Sequence, residues 1–254
     1  MNKQTILEKI NTARKLCYIT NLYSYDTLDY ADKFWELNDS FVFSYTDHGI
    51  LRLIYYVRDY ETLDRLLSKI EAGKYYLEII TKDINIYKPS NMSLVAKLMR
   101  MSTTDCGNVF KDSKVLQYRN DEIVEKASLE DAQEINKLLW KTFHTEISHL
   151  LTDEELSERI ELGQIFIHKS QSIDALLQVE VRPKKFYINQ IVNLTDKKVI
   201  HAILLKNLWE YFQNGGNYVY AWVEEKNIAS IKFHEKYGMR HDGMWNLVFC
   251  LDKS

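Results

Sequence analysis

At 254 residues with a formal charge of −3, the chain has no long run of Lys or Arg and lacks the basic footprint of a nucleic-acid-binding protein. Hydrophobic residues at 46% and charged residues at 27% exclude a disordered chain and provide for two packed cores, since single domains most often run to roughly 100–150 residues. No segment reaches the roughly 20 apolar residues of a membrane-spanning helix, and Met1 to Lys15 has no apolar run of the secretion-signal kind, so a cytoplasmic protein without membrane attachment is expected.

Cys17, Cys106 and Cys250 are widely spaced and form no Cys-x-x-Cys pair. They read as free thiols, and no metal site is expected. In chain order, the first half predicts a strand over Phe41–Tyr45, a turn at Asp47-His48-Gly49 and a strand over Ile50–Val57. A helix follows, in which Leu63, Leu66, Leu67 and Ile70 keep the i, i+3, i+4, i+7 spacing, with Gly73 expected to cap its end. A strand over Tyr75–Thr81 and a helix starting near Asn91 complete this half. The polar stretch Lys111–Asp121 reads as a linker, dividing an N-terminal α/β domain, 1–112, from a C-terminal one, 120–254.

After the linker, Ile123–Ala127 predicts a short strand, and Ser128-Leu-Glu-Asp131 has the form of a capping box that opens a helix buried through Ile135, Leu138 and Leu139. Thr152-Asp-Glu-Glu155 repeats the box and starts a second helix, which ends at Gly163 in a left-handed cap. Ile165–His168 and the alternating Ala175–Arg182 predict an antiparallel hairpin, and Phe186–Leu194 a further strand. A helix from Asp196 buries Ile200, Ile203, Leu204, Leu208, Tyr211 and Phe212 and ends at Gly215-Gly216. Strand Tyr218–Val223, a helix from Asn227 to Gly238 and strand Met244–Leu251 finish the chain. The expected fold class is α/β, a mixed, mostly antiparallel sheet flanked by helices.

The string Asn227-Ile-Ala-Ser-Ile-Lys-Phe-His-Glu-Lys-Tyr-Gly-Met239 resembles the GNAT acyltransferase motif Asn-x-x-Ala-x-x-Leu/Phe-Tyr-Glu-Lys-x-Gly-Phe, which in that family follows the fifth strand. The order of elements around it agrees over about 123–251. The first half repeats the order strand, strand, helix, strand more faintly, as either a second, smaller GNAT-like domain or an unrelated α/β domain.

The resemblance implies transfer of an acetyl or other acyl group from coenzyme A to a primary amine of a small molecule or peptide. Such chemistry needs a base for the ammonium, a donor for the oxyanion and an acid for the departing thiolate. The family commonly gives the last task to a tyrosine at the position of His234; an imidazolium is a chemically tolerable replacement, and an imidazole that merely faces the cleft is the alternative.

The resemblance further implies that the donor runs along Ile191, Val192 and Asn193, with Lys197, Lys198, Val199, Ile200 and His201 around its phosphates and Asn227, Ser230 and Phe233 along its arm. Asn227 is equally explained as a helix cap.

The sequence departs from the family at the pyrophosphate loop, where Arg/Gln-x-x-Gly-x-Gly/Ala is replaced by Asp196, Val199 and His201 at the three key positions. An acidic residue and a β-branched one remove the bare backbone and the favourable charge of the phosphate cradle. For the base, Glu180 and Glu224 are the nearest carboxylates by topology, followed by Glu225, with His144 and His149 behind them. Trp140, Trp222 and Trp245 either line an acceptor pocket or pack the core. Two alternatives to a coenzyme A-dependent enzyme remain: a GNAT-like sensing or protein-binding module, and a transferase with another acyl donor such as aminoacyl-tRNA.

Overall fold

The computed structural model describes residues 3–14, 18–22, 26–105, 125–195 and 199–253. The expected linker, Cys17, Cys106, Asp196, Lys197 and Lys198 lie outside them. The chain forms two compact units. Unit 1 gathers Met1–Leu98, Thr145–His149 and Met244–Ser254; unit 2 gathers Met99–His144 and Leu150–Gly243.

Unit 1 contains α1 (Lys3–Arg14), β1 (Ile19–Thr20), β2 (Ala31–Leu37), β3 (Ser40–Asp47), β4 (Ile50–Val57), α2 (Tyr60–Ser68) and β5 (Gly73–Thr81). It also takes the first residues of β6 (Ser93–Thr103) and most of β12 (Arg240–Lys253). Its strands follow the order β2-β3-β4-β5-β12, antiparallel except that β4 and β5 are parallel. Helix α2 starts at Asp59, whose carboxylate accepts from Thr62 N at 2.7 Å. It buries Leu63, Leu66 and Leu67 completely against β4, β5 and β12. Each such side chain contributes about 1.5–3 kcal/mol of transfer free energy. On the other face Ile6, Ile10 and Ala13 of α1 pack on Phe41, Phe43, Ile54 and Tyr56.

Two expectations fail here. Helix α2 ends at Lys69, and Gly73 instead opens β5 with φ 148, where a Cβ would stand 2.9 Å from the Tyr75 ring. The segment near Asn91 is strand β6, although Leu, Ala, Lys, Met and Arg all favour helix. Buried Ala96, Met101 and Thr103 fix it in a sheet, where tertiary pairing outweighs propensity.

Unit 2 contains the rest of β6, then β7 (Glu125–Lys126), α3 (Ala132–Thr142), α4 (Asp153–Glu161), β8 (Ile165–Lys169), β9 (Ile173–Arg182), β10 (Lys185–Asn193), α5 (Val199–Gln213), β11 (Val219–Glu224) and α6 (Ile228–Glu235). Its strand order is β6-β11-β10-β9-β8-β7. Both capping boxes form: Asp131 answers Ser128, and Thr152 accepts from Glu155 N at 3.2 Å while its own N–H donates to the Glu155 carboxylate at 2.9 Å. Gly163 stops α4 at φ 64.

Helix α5 covers one face of β9, β10 and β11 through Ile200, Ile203, Leu204 and Leu208, while α3 and α4 cover the other face over β8 and β9. The result is a mixed, mostly antiparallel sheet flanked by helices. Cys250 is a buried free thiol. Among the described residues no helix is long and apolar enough to cross a membrane.

Candidate active site

Strands β10 and β11 pair in parallel over three positions only, Phe186 with Val219, Tyr187 with Tyr220 and Ile188 with Ala221. Beyond them β10 continues to Asn193 and β11 to Glu224 with no further ladder partners between the two. The cause lies in β10. A register shift between Ile188 and Gln190 against β9 marks a β-bulge, which bends the strand and re-aims its edge. On its other edge β10 remains paired, Ile191 with Leu177, Val192 with Leu176 and Asn193 with Ala175. Leu194 N bonds the Asp174 carbonyl on β9, so by strand alternation Val192 also turns to β9, while Ile191 and Asn193 turn their backbone groups to the edge where the β11 ladder has ended. Gaps of this kind, at the carboxyl ends of parallel strands, are where α/β sheets bind ligands.

Of the residues expected along a donor, Val192 and Ile200 have buried side chains, and the Val192 backbone lies in phase with Leu194 on the edge that pairs with β9. His201 lies in the first turn of α5. Its Nδ1 stands 2.5 Å from the Tyr237 hydroxyl, and its ring packs on Phe233 at 4.9 Å between centroids. Phe233 in turn touches Tyr237 at 5.2 Å. His201, Phe233 and Tyr237 thus form one aromatic contact between α5 and α6. Tyr237 escaped the sequence reading, because its role depends on a residue 36 positions away.

Asn227 caps α6, its Oδ1 accepting from Ser230 N at 3.0 Å, and it is exposed. That cap satisfies one of the orphan donors of the first turn.

His234 is only 3% exposed. Its Nδ1–H donates to the Ser230 carbonyl at 2.8 Å, which fixes the tautomer because a carbonyl can only accept. Burial lowers its pKa, opposed in part by that hydrogen bond, so the neutral ring predominates at neutral pH. Nε2 is buried without a hydrogen-bond partner. The imidazolium considered from the sequence is thereby disfavoured, and Nε2 holds a lone pair that is buried in the free chain.

The two candidate carboxylates differ in surroundings. Glu180 on β9 is ion-paired to Arg182 and, at 3.4 Å, to Arg159. Glu224 is the last residue of β11, half-buried, where the strand has left β10. By strand alternation it shares a face with Tyr218, Tyr220 and Trp222. On that face Tyr220 stacks on Tyr187 at 4.7 Å and on Tyr218 at 5.5 Å. Arg100 stands over Tyr218 and Trp222, 6.0 and 5.9 Å from their ring centres, and binds Asp242 at 2.7 Å. The aromatic surplus is thus partly gathered beside the gap. The alternation of Tyr218, Tyr220 and Trp222 was the readable signal for it. Trp245 instead packs against the core of unit 1, and Trp140 is exposed on α3.

His149 belongs to a different cluster, in unit 1. Its Nε2 lies 2.5 Å from Glu78 Oε1 and its Nδ1 3.0 Å from Asp47 Oδ2. Arg52 joins them, binding Asp47 at 2.5 Å, Glu78 at 3.4 Å and the Thr145 carbonyl at 2.6 Å. Two cations and two anions balance.

No protein-family model matches the chain, and no curated protein matches it significantly. Solved structures do. A GNAT-family acetyltransferase from Colwellia psychrerythraea is 14% identical with a TM-score of 0.53, over 99% of this chain and 96% of its own. A GCN5-related N-acetyltransferase from Sphaerobacter thermophilus is 12% identical with a TM-score of 0.55, over 83% and 76%. A tandem GNAT protein from the clavulanic acid biosynthesis pathway is 9% identical with a TM-score of 0.55, over 85% and 79%. The parted strands, the helix between them and the overlap with these structures agree: the chain has the fold of the GNAT acetyltransferases.

Proposed function

We propose that unit 2 is an N-acyltransferase that takes an acetyl or other acyl group from coenzyme A and transfers it to a primary amine of a small molecule or peptide, acting in the cytoplasm. The observation that carries this reading is the parting of β10 from β11 after Ile188 and Ala221. The backbone groups of Ile191 and Asn193, on the edge away from β9, can bond the amides of the pantetheine arm as a strand would. Phosphates then reach the N-terminus of α5, where a helix end favours anions. Lys197 and Lys198 would add charge there, in place of the glycine cradle.

In this scheme Glu224 takes the first proton from the substrate ammonium. The neutral amine attacks the thioester carbonyl, the nitrogen–carbon bond forms and the carbon–sulfur bond breaks. Nε2 of His234 receives the proton that the nitrogen sheds and delivers it to the sulfur, so that amide and thiol leave with the charges balanced. Glu180, held by two arginines, keeps a supporting role at the acceptor side.

Unit 1 reads as a second, smaller GNAT-like module. It repeats the order strand, strand, helix, strand, and β4 and β5 pair in parallel over three positions as β10 and β11 do. The altered loop at Asp196, Val199 and His201 favours one competing reading, a GNAT-like ligand-sensing or protein-interaction module without turnover.

Thermal unfolding with and without acetyl-CoA tests the donor site: ligand at about 100 times its Kd stabilises the fold by roughly 2.7 kcal/mol. No shift with acetyl-CoA or longer acyl-CoAs would remove the donor. A shift without thiol release across a panel of amines would leave the sensor.

A further inference from the structure

The fold holds a second pair of diverging parallel strands, in unit 1. Strands β4 and β5 pair at Leu51 with Tyr75, Arg52 with Tyr76 and Leu53 with Leu77, then part, as β10 and β11 do. Here the space between them is taken by the chain itself. Strand β1 pairs antiparallel with the far end of β4, Ile19 with Val57 and Thr20 with Tyr56. Because β3 already holds one edge of β4 from Ile50 through Tyr56, β1 must lie on the edge that turns toward β5.

Asn21, 4% exposed, completes the closure. Its Nδ2 donates to the Leu53 carbonyl of β4 at 3.0 Å and to the Glu78 carbonyl of β5 at 3.1 Å, and its Oδ1 accepts from Tyr55 N at 2.9 Å. One side-chain amide therefore satisfies backbone groups on both parted strands. What remains beside it is a cavity of about 10 Å³, bounded by Asn21, Leu53, Ile54 and Glu78 among others. That is room for one water at most. A ligand of coenzyme size needs a pocket of about 300 Å³ or more.

We infer that Ile19–Asn21 is a built-in plug between β4 and β5, at the place where unit 2 has no described strand between β10 and β11, so that unit 1 binds no acyl donor and the chain takes up one equivalent rather than two. The count of one rests on the donor reading of unit 2; the plug itself does not.

The test is amide hydrogen exchange, resolved to single residues, on the full chain with and without saturating acetyl-CoA, together with calorimetric titration. Without ligand the Tyr55 amide is expected to be strongly protected. On adding acetyl-CoA, protection should rise in 190–193 and stay unchanged in 53–57 and 78–81, with a stoichiometry of one. Free exchange at Tyr55, new protection of β4 or β5 by acetyl-CoA, or two equivalents bound would overturn the inference. If acetyl-CoA changes nothing anywhere, the donor reading fails alone, and protection of Tyr55 in the free protein still upholds the plug. Asn21→Ala should then lower Tyr55 protection by about tenfold or more, the loss of one buried hydrogen bond and its shielding. Unchanged protection in that variant counts against the plug.

Discussion

Replacing Glu78 by glutamine removes the carboxylate at the centre of the unit 1 charge cluster while keeping its volume. Burial opposes ionisation of Glu78, but the charge and hydrogen bond of His149, the Arg52 guanidinium and the Asn246 amide outweigh it and hold the carboxyl at about 2, below its ordinary 4.5. That difference corresponds to roughly 3–4 kcal/mol of stability at neutral pH, at about 1.4 kcal/mol per unit. It falls in the range of roughly 3–5 kcal/mol for breaking a buried ion pair.

The pH dependence has a definite sign. Glu78 titrates lower in the folded chain than in the unfolded one, so its contribution is complete above 4.5 and disappears as pH falls from 4.5 toward 2. His149 works in the opposite direction. Partial desolvation lowers its pKa, but the charge of Glu78 and the hydrogen bonds to Asp47 and Glu78 raise it to about 9. Its contribution is therefore full below 6.5 and lost as pH rises toward 9, and because the side chain is 46% exposed, solvent screening makes it the smaller of the two. Urea titrations of the parent and Glu78→Gln at pH 3, 6 and 9, with amide exchange of β4 and β5 as the local probe, should show the largest difference at pH 6. A difference under about 1 kcal/mol at pH 6, or one that does not shrink at pH 3, would refute this account of the cluster.

His234→Gln should lower the rate of thiol release by about 100-fold with little change in apparent donor affinity, because only proton transfer is removed. Equal turnover in the two proteins would take His234 out of the chemistry. Since burial lowers its pKa, the parent's turnover should be flat from pH 6.5 upward as far as this group controls it, and fall only in more acidic solution. Asn227→Ala should cost about 1 kcal/mol of stability through loss of the α6 cap, read by urea titration; if the asparagine also bonds the donor, calorimetry will show weaker acetyl-CoA binding as well. Gly216→Ala places a Cβ 2.3 Å from the Tyr211 ring, which is buried and hydrogen-bonded through its hydroxyl to the Tyr218 carbonyl. A loss of about 1–3 kcal/mol is expected from overpacking, and an unchanged urea midpoint would show that the ring moves freely.

Local signals decided much of this molecule. The two capping boxes, the α2 leucines, the hairpin at Asp47–Gly49 and the sequence of elements from β8 to β12 all follow from residues a few positions apart, because caps, turns and amphipathic faces are short-range physics. The string from Asn227 to Met239 carried the resemblance for the same reason.

Tertiary structure decided what depends on distant partners. Strand β6 has helical composition and is a strand because neighbouring strands take its backbone groups. His234 is neutral because the fold buries it, which no neighbouring letter announces. Most of all, the two gaps look alike in sequence order, and only the folded chain distinguishes them: the bulge at Ile188–Gln190 leaves one unpaired, while Asn21, reaching backbone groups 32 and 57 residues away, closes the other. An asparagine can satisfy two strands at once only after both have been brought to it, so its meaning exists in space and not along the chain.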